Sequence, residues 1–433
     1  MEMKTLSEHW QSIKNILSPL SAFFAGTFIM YIANGLNASI LAIRLTDNGV
    51  PTFYTGLILS LYYLAYIVST QTSSFIINRV GQVRAFTTYI SVLSSLVLIH
   101  SLSPSPLLWA VLRFGEGYCL AAALMCVESW LNTRSTNKNR GTIMSVYMVM
   151  TYCGMATGQL LLNIPDKSGF LIFILVSVFY SWALVPVSLT GQPSAEIKKH
   201  ESMSLKRIYK LAPMSMAGCI ISGVLVGNVY TLGPIYAQKI GLNMQNTSLF
   251  MFFCIVGGML AQIPLGRLSD RMDRRFVMMW LCGGLFLVAP WMHFLIDANI
   301  LFLAICAMLL GTGTFVLYPI CISHLNDKIT DDERIEASGM LILLQSIGMM
   351  SGPVIISLAM QWWGAICFVM AFSFFSGLFV LFAFKNIVFR PTGYIASGKT
   401  DPIPASQTHV FTNISQHDSL LDRAKDLFTE KKH

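Results

Sequence analysis

Charged residues are scarce in this sequence. Asp, Glu, Lys and Arg make up only 12% of its 433 residues, whereas a soluble domain has about 25%. Hydrophobic residues account for 54%, and this balance predicts a polytopic membrane protein. The net charge of +8 comes from basic residues scattered between apolar runs. No basic soluble domain of the kind that binds nucleic acid is therefore expected.

Signatures of metal, disulfide and nucleotide chemistry are missing as well. The nine cysteines lie inside apolar segments without a C-x-x-C pair, and no histidines cluster at ligand spacing. No G-x-x-x-x-G-K-[ST] segment occurs, which argues against direct use of ATP by this chain. The first apolar run continues past the length of a signal-peptide core and predicts a retained helix. We expect no cofactor and no metal.

Long apolar runs are what the sequence has in their place. Twelve runs have about the length that a helix needs to cross the hydrocarbon layer. Their predicted spans are 17–43, 53–77, 84–101, 105–132, 141–163, 168–189, 211–237, 246–266, 276–294, 299–324, 335–359 and 363–386.

The longest loop between these runs divides them into two sets of six. We expect an N-terminal segment at 1–16, a six-helix bundle at 17–189, a linker at 190–210, a second bundle at 211–386 and a tail at 387–433. The tail ends in a short amphipathic pattern at 420–428. That pattern predicts a helix that lies along the membrane, docks on the loops or is simply solvated.

Lysine and arginine are distributed unevenly over the loops. Sixteen lie in the loops on the side of the N-terminus and three on the other side. Because cytoplasmic loops carry the excess of Lys and Arg, both termini are predicted in the cytoplasm. We expect a monomer in a bacterial inner membrane, in contact with lipids.

The two halves look like copies of one another. Residues 129–158 align with 323–352 at an offset of 194 without a gap, which is typical of transporters built from structural repeats. Polar matches carry the argument, since small residues alone recur in any pair of apolar helices. The matched pairs include Ser129/Ser323, Asn132/Asn326, Thr136/Thr330, Arg140/Arg334, Gly154/Gly348 and Gly158/Gly352, with Gly115/Gly311 and Gly117/Gly313 at an offset of 196.

The segment 266–275 reads G-R-L-S-D-R-M-D-R-R. It resembles motif A of the major facilitator superfamily, G-x-x-x-D-R-x-G-R-R, with Asp273 in place of the second glycine. The matching positions are Gly266, Asp270, Arg271, Arg274 and Arg275. A first-half copy keeps Arg79 and Gly81 but has Ser74 and Asn78 where Gly and Asp are expected.

Two further segments carry the resemblance. Arg113, Glu116 and Gly117 resemble motif B, R-x-x-Q-G, with Glu in place of Gln. Residues 127–131 with 139–141 are similar to the bacterial YcaD-like branch. The resemblance implies an all-α polytopic membrane protein with twelve transmembrane helices in two pseudo-symmetric six-helix bundles. It also implies a secondary transporter rather than an enzyme.

Ionisable residues within a membrane helix are costly and are functional by default. Arg113 and Glu116 are three residues apart, so they share a helix face and can pair. We interpret Glu116 as the proton carrier and Arg113 as its modulator. The alternative is a static pair that only orders the helices.

The resemblance also implies a conformational latch at the cytoplasmic face. Glu128 is expected near the loop arginines, and Asp270 near the N-terminus of the eleventh helix. The alternative for the arginines is topology and contact with lipid phosphate. The predicted latch residues are Gly266, Asp270, Arg271, Arg274, Arg275, Glu128, Arg79, Arg84, Arg140 and Arg334.

Polar residues near the middle of the helices are the candidates for a substrate cavity. Amides and phenols with few charges suit a neutral or amphipathic solute, although each alone is more often an interhelical hydrogen bond. The candidates are Asn34, Asn37, Tyr66, Gln159, Asn228, Tyr230, Gln262, Tyr318 and Gln345.

The sequence thus predicts a secondary transporter of a small organic solute, coupled to protons. Export is slightly favoured, because Gly348 to Pro353 resembles the core of an antiporter motif, although Gln159 stands where helix five of exporters has proline. An uptake symporter of a sugar or metabolite is the alternative. A transporter-like receptor and a membrane-embedded lipid-modifying enzyme are alternatives of another class; the enzyme would need a catalytic cluster that His293, His324 and Asp297 are too dispersed to form.

Overall fold

The computed structural model describes residues 20–134, 139–166, 169–189, 203–295, 299–330 and 333–389. Within these ranges the chain forms helices joined by short turns, and no strand. The predicted amphipathic pattern at 420–428 and the segment 1–16 lie outside the described residues.

The first half consists of six long helices, and a short 3₁₀ turn at Leu161–Asn163 follows the fifth. They are α1 (Ser21–Asp47), α2 (Thr52–Val80), α3 (Gln82–His100), α4 (Pro106–Arg134), α5 (Arg140–Leu160) and α6 (Leu171–Ser188).

The second half begins with a short helix that the hydropathy pattern did not predict. It is followed by long helices equivalent to those of the first half, one of them broken in two. The helices are α7 (Leu205–Leu211), α8 (Pro213–Lys239), α9 (Met244–Arg271), α10 (Arg274–Leu295), α11 (Ile300–Phe315), α12 (Leu317–Asn326), α13 (Arg334–Trp363) and α14 (Ile366–Phe389).

Eleven spans in the described part of the chain are long and apolar enough to cross a membrane, with α11 and α12 counted together. The break between these two lies at Val316. Pro319 explains it, because a proline ring clashes with the carbonyl four residues earlier. The long helix that is not counted among these spans is α5. Its threonine, tyrosine, glycine and glutamine residues lower its mean hydropathy.

Helix α9 is longer than its apolar run. The run predicts an end at residue 266, but the helix continues to Arg271. Internal hydrogen bonds satisfy the backbone of a helix whether or not its side chains are apolar, so hydropathy alone misses the polar last turn. The segment 266–271 of motif A is therefore helical, and only residues 272 and 273 lie outside α9 and α10.

Glycines bring equivalent helices into backbone contact in both halves. In the first half, a Cβ at Gly158 would overlap the carbonyl oxygen of Ile32, so α5 lies directly against α1. In the second half, a Cβ at Gly348 would overlap the carbonyl oxygen of Ile220, so α13 lies directly against α8. Small residues allow this close approach in membranes. The matched glycines of the repeat thus have matched packing roles.

Two ends of the bundle must be distinguished. We call the end at which Gly81 and Asp273 lie the basic end, and the end at which Asn48 lies the opposite end. At the opposite end the halves are hydrogen-bonded: the Phe53 backbone N–H donates to Gln361 Oε1 at 3.0 Å, and Gln238 Nε2 donates to Asp47 Oδ1 at 3.2 Å.

Further bonds between the halves run inward along α5 and α9. Asn163 Nδ2 donates to Ser248 Oγ at 3.1 Å, and Gln262 Nε2 donates to the Tyr152 hydroxyl at 2.6 Å. Of these four bonds between the halves, this last one lies nearest the basic end. Beyond it, a Cβ added at Gly266 would meet nothing within 4 Å. The halves are therefore tied together from the opposite end to mid-bundle.

Candidate functional site

A cavity lies between the halves in the middle of the bundle. Helices α1, α2, α4 and α5 form one wall, and α8 and α13 form the other. Tyrosines dominate the lining: Tyr31, Tyr62, Tyr63, Tyr66, Tyr147, Tyr152 and Tyr230. Rings with one polar atom each make a wall that is mostly apolar yet able to form hydrogen bonds, which is the usual character of a small-molecule site.

An ion pair lies at this cavity. Arg113 Nη1 is 2.8 Å from Glu116 Oε2, one helical turn along α4. Both residues are buried, with exposed fractions of 5% and 0%. Arg113 lines the cavity and Glu116 lies behind it. Two ions at this depth are tolerated only when they compensate each other, so their pairing explains how both can be retained.

Glu116 has two further partners from other helices. Asn37 Nδ2 of α1 donates to Oε2 at 3.1 Å, and His100 Nδ1 of α3 lies 3.4 Å from Oε1. The same His100 nitrogen is 3.1 Å from the Leu96 carbonyl oxygen. Glu116 thus connects three helices of the first half through a single carboxylate.

The guanidinium of Arg113 is held over an aromatic ring. Its Cζ is 4.3 Å from the centroid of Tyr62, a cation–π distance. Tyr62 in turn donates its hydroxyl to Asn34 Oδ1 at 3.5 Å. The stacking fixes the plane of Arg113 at the cavity wall, so its unused N–H groups have a defined direction.

Four of the nine predicted cavity residues line this cavity: Asn34, Tyr66, Tyr230 and Gln345. The other five do not line it. Asn37 binds Glu116. Gln159 accepts from Ser39 and donates to the Gly35 carbonyl, which joins α1 to α5.

The remaining three predicted cavity residues also lie outside the lining. Asn228 Nδ2 donates to the Phe368 carbonyl at 3.5 Å. Gln262 bonds to the lining residue Tyr152. Tyr318 is fully buried, away from the cavity lining.

Glu128 is oriented towards the interior of the first half. The Tyr147 hydroxyl of α5 donates to its Oε1 at 3.0 Å, and the residue is 2% exposed. Arg79 and Arg84 have exposed side chains and are not brought to it. The side chain of Arg140 lies outside the described residues. Glu128 is therefore a buried acid behind a tyrosine of the cavity wall.

The second-half copy of motif A forms a compact charge network. Arg274 contacts Asp270 Oδ1 at 2.9 Å, Asp327 Oδ2 at 2.7 Å and Ser269 Oγ at 2.9 Å. It thereby joins the end of α9, the start of α10 and the residue after α12. Asp270 is thus paired within its own segment. The predicted proximity of Asp270 to the start of α13 is not among the contacts that the structure records for it.

The residue that replaces the second motif glycine is also charged and paired. Arg275 Nη2 is 2.7 Å from Asp273 Oδ2, and the Arg275 backbone N–H also donates to Asp273. Burial raises the pKa of the Asp273 carboxyl, but the hydrogen bonds and charge of Arg275 outweigh this and hold the pKa below its usual value. Gly266 and Arg271 lie in the last two turns of α9, and Arg334 is the first residue of α13.

Several lining residues were missed from the sequence. Tyr62 and Tyr63 lie four and three residues before the predicted Tyr66 on α2, and this helical spacing was an available signal. His100 had none. Its approach to Glu116 depends on the loop 101–105, which runs along α4 because Trp109 Nε1 bonds to the Ser103 carbonyl at 2.7 Å.

Comparison with known families identifies the architecture. The family model described as Major Facilitator Superfamily matches residues 23–261 and 255–430. The chain belongs to this superfamily. Its fold class is accordingly the predicted one, with twelve transmembrane helices in two pseudo-symmetric six-helix bundles.

Curated relatives place the chain near one branch of the superfamily, as predicted. It is 27% identical to the MFS-type transporter YcaD of Escherichia fergusonii over 355 residues, covering 79% of this chain and 89% of the relative. The YcaD transporter of Escherichia coli K12 is 25% identical over the same length and coverage. Within the superfamily, the chain is thus similar to MFS-type transporters named YcaD.

Solved structures share the fold. The nucleoside transporter NupG superposes with a TM-score of 0.70 at 12% identity, covering 86% of this chain and 99% of NupG. The E. coli fucose:proton symporter FucP superposes with a TM-score of 0.56 at 13% identity, covering 86% of this chain and 98% of FucP. At these identities the likeness concerns architecture and not substrate.

Proposed function

We propose that the protein is a proton-coupled secondary transporter that moves a small organic solute by alternating access. The observation that carries this proposal is the buried Arg113–Glu116 pair at the wall of a cavity between the two halves. Transporters built from repeats bind their substrates at such an interface, near the bilayer midplane.

Glu116 is proposed as the proton carrier because its carboxylate is buried and only partly hydrogen-bonded. Arg113 Nη1 and Asn37 Nδ2 both donate to Oε2, whereas Oε1 has no hydrogen-bond partner among the described residues and lies 3.4 Å from His100 Nδ1. Protonation removes the attraction to Arg113 and frees that arginine for another anionic or polar partner. Proton binding at Glu116 is thereby coupled to the state of the cavity wall.

Alternating access is proposed to proceed by opening and closing of the basic end. In the described conformation the halves are tied at the opposite end, and Gly266 and Gly339 face open space. Closure of the basic end needs contacts of moderate strength, since both states must be populated within a few kcal/mol. The Arg274–Asp327 pair, about a third exposed on its acidic side, lies within the second half, and it is proposed to hold the segments of that half together as they move rather than to bridge the halves.

The basic end is proposed to face the cytoplasm, with both termini there, in the inner membrane. Arg79, Arg84, Arg267 and Arg271 all lie at this end and follow the positive-inside pattern. The described conformation is then open to the cytoplasm. The protein is proposed to act as a monomer among lipids.

The grounds for export are weaker once packing is considered. Gly348 and Gly352, which resemble an antiporter motif, lie against the backbone of α8. Packing alone accounts for them. An enzyme is not favoured either, since the relatives are named as transporters.

Proton coupling is tested with the purified protein in liposomes that contain a pH-sensitive dye. Solutes added outside are expected to drive proton movement with the wild type, and Glu116→Gln is expected to retain solute exchange but lose the proton signal. The matched control is Asp166→Asn, because Asp166 is equally paired with an arginine, Arg44, at 3.0 Å but lies at the opposite end. Proton flux that is unchanged in Glu116→Gln would remove Glu116 from the proposal.

Alternating access is tested by labelling. Gly339→Cys, in a background with Cys153 and Cys367 changed to Ser, places a thiol at the open basic end. Its reaction with an impermeant maleimide is expected to slow when solute closes the basic end. Arg84→Cys, at an exposed position of the same end, is the control. Equal, solute-independent rates at both positions would contradict closure.

A further inference from the structure

The charge on the cavity wall is of one sign. Among the described residues that line it, Arg113 is the charged one. Two acids of the first half lie near the cavity without reaching its lining, because Glu116 lies behind Arg113 and Glu128 lies behind Tyr147. A solute in the cavity therefore meets a guanidinium directly and the carboxylates only indirectly.

Arg113 presents an unused edge. Arg113 Nη1 donates to Glu116. Arg113 Nε is buried and has no hydrogen-bond acceptor within the described structure. The planar guanidinium offers Nε with Nη2 as a second, side-on fork, and a carboxylate fits such a fork with two parallel hydrogen bonds. Stacking on Tyr62 holds this edge in place.

The facing half supplies another donor. Gln345 of α13 lines the cavity, is 2% exposed, and its Nε2 has no acceptor among the described residues. A buried amide N–H without an acceptor destabilises the protein that contains it. Two N–H groups in need of acceptors, one from each half, indicate a ligand that is rich in acceptor oxygens.

The remainder of the wall suits an apolar body. Between the tyrosine rings lie Leu120, Leu124, Met148 and Met155. Flexible methionines and aromatic faces accommodate rings and short alkyl groups without strict shape. The cavity thus combines a charged anchor at one point with an adaptable apolar surface.

We propose that the cavity binds a small organic monocarboxylate with an aromatic or aliphatic body, its carboxylate on the Nε edge of Arg113, and that this anion moves together with a proton on Glu116. This substrate class rests on the proposed function given above. One anion and one proton carry no net charge, so the loaded cavity is electrically neutral.

Coupling follows from competition for one arginine. With Glu116 ionised, a second carboxylate on Arg113 lies close to a like charge and is disfavoured. With Glu116 protonated, Arg113 is an unpaired buried cation and the substrate carboxylate compensates it. Anion and proton therefore bind together. The titratable or charged groups that face Glu116 are Arg113 and Cys119 of α4, His100 of α3, Tyr62 of α2 and Tyr180 of α6, while α1 contributes the neutral Asn37.

Other head groups fit less well. An ammonium group is repelled by Arg113, its nearest charge. A neutral amide does not compensate the charge of Arg113, and its affinity is expected to be independent of the protonation of Glu116. The three classes therefore differ in affinity and in the sign of their pH dependence.

Binding is tested by calorimetry on the purified full chain at pH 5.5 and 7.5. The probes are 4-hydroxyphenylacetate, benzoate and hexanoate, each beside its amide and its amine. Carboxylates are expected to bind at least tenfold more tightly than their counterparts, and more tightly at pH 5.5. Arg113→Gln is expected to lose at least tenfold in carboxylate affinity. Arg44→Gln, which breaks the distant pair with Asp166, is expected to change nothing.

The pH dependence of carboxylate binding by Glu116→Gln is an independent test, because this variant is expected to keep its affinity for carboxylates. It keeps Arg113 and is expected to bind carboxylates at pH 7.5 as tightly as the wild type does at pH 5.5, without pH dependence. A pH dependence that persists in this variant would assign it to His100 and overturn the role of Glu116.

Preference for amines or amides, equal carboxylate binding by Arg113→Gln, or no carboxylate binding by folded wild type would each overturn the anion proposal. These failures are separate from failure of proton coupling. If amines are transported with protons through Glu116, the proposal of an anionic substrate is wrong but proton coupling stands. If carboxylates are transported without protons, the anionic substrate stands but proton coupling through Glu116 is wrong.

Discussion

The two halves share their packing but not their charges. Gly117 of α4 lies so close to the Tyr62 carbonyl that a Cβ would overlap it, and Gly311 of α11 has the same relation to the Cys254 carbonyl. These glycines are 194 residues apart, the offset of the main repeat. The sequence paired Gly117 with Gly313 at 196, whereas the contacts pair it with Gly311.

The charges of the first half have no counterpart at the same depth in the second. The positions 194 residues after Arg113, Glu116 and Glu128 are buried Ala307, Leu310 and Ile322. In the second half the charge network lies instead at the basic end, around Arg274. The two copies thus share their packing, whereas we propose proton chemistry for the first half and locking for the second.

The largest expected effect on stability and transport comes from replacing the buried charges of the first half by apolar residues, which the second half has at the equivalent positions. Glu116→Leu leaves Arg113 buried without its acid, which costs about 3–5 kcal/mol. The double change Arg113→Met/Glu116→Leu is expected to restore the thermal midpoint in detergent, because apolar residues replace a buried pair at little or no cost. It is also expected to abolish transport. A double variant no more stable than the single one would show that the pair itself holds the helices together.

Sequence reasoning reached the fold because its signals are local. Twelve apolar runs and a repeat with matched glycines at 154 and 348 need no knowledge of neighbours. Helix ends were less accessible: α9 continues to Arg271 because backbone bonding continues where hydropathy stops.

The candidate site was only partly accessible, for a physical reason. Arg113 and Glu116 are one turn apart, so their contact follows from helix geometry alone. His100 and Asn37 reach Glu116 across loops and helix packing, which a single sequence does not encode locally. Glu128 shows the same limit, because its position on α4 was predicted but its orientation towards Tyr147 was not.

The second prediction tests the shared packing. Gly117→Ala and Gly311→Ala each force two helices apart, and overpacking of this kind costs about 1–3 kcal/mol. Both are expected to lower the thermal midpoint by similar amounts. Gly266→Ala is the control, since a Cβ there meets nothing within 4 Å. A loss confined to one half would break the equivalence of the two packings.

The third prediction compares two neighbouring arginines at the basic end. Arg274→Gln breaks ion pairs with Asp270 and Asp327 that link separate helices. Arg275→Gln breaks a local pair with Asp273. Partly exposed pairs contribute about 0.2–1 kcal/mol each, so the first variant is expected to lose about twice as much stability. It is also expected to weaken the slowing of maleimide labelling at Gly339→Cys that solute causes, because Arg274 joins segments that must move together; Arg275→Gln is not expected to do so. Equal labelling in both would remove Arg274 from the latch.

The smallest expected effect is the pH dependence of the Arg275–Asp273 pair. Because the folded-state pKa of Asp273 is held below its usual value, its contribution to stability is fully present above that value and is lost as pH falls through the folded-state pKa. The difference in thermal midpoint between wild type and Asp273→Asn is expected to be constant from pH 8 to 5 and to shrink below about pH 4. Arg275→Gln removes the charge and hydrogen bonds that depress the pKa, so the same comparison in that background is expected to be flat. A difference that grows on acidification would mean that Asp273 is destabilised when ionised, and that its charge works against the network around Arg274.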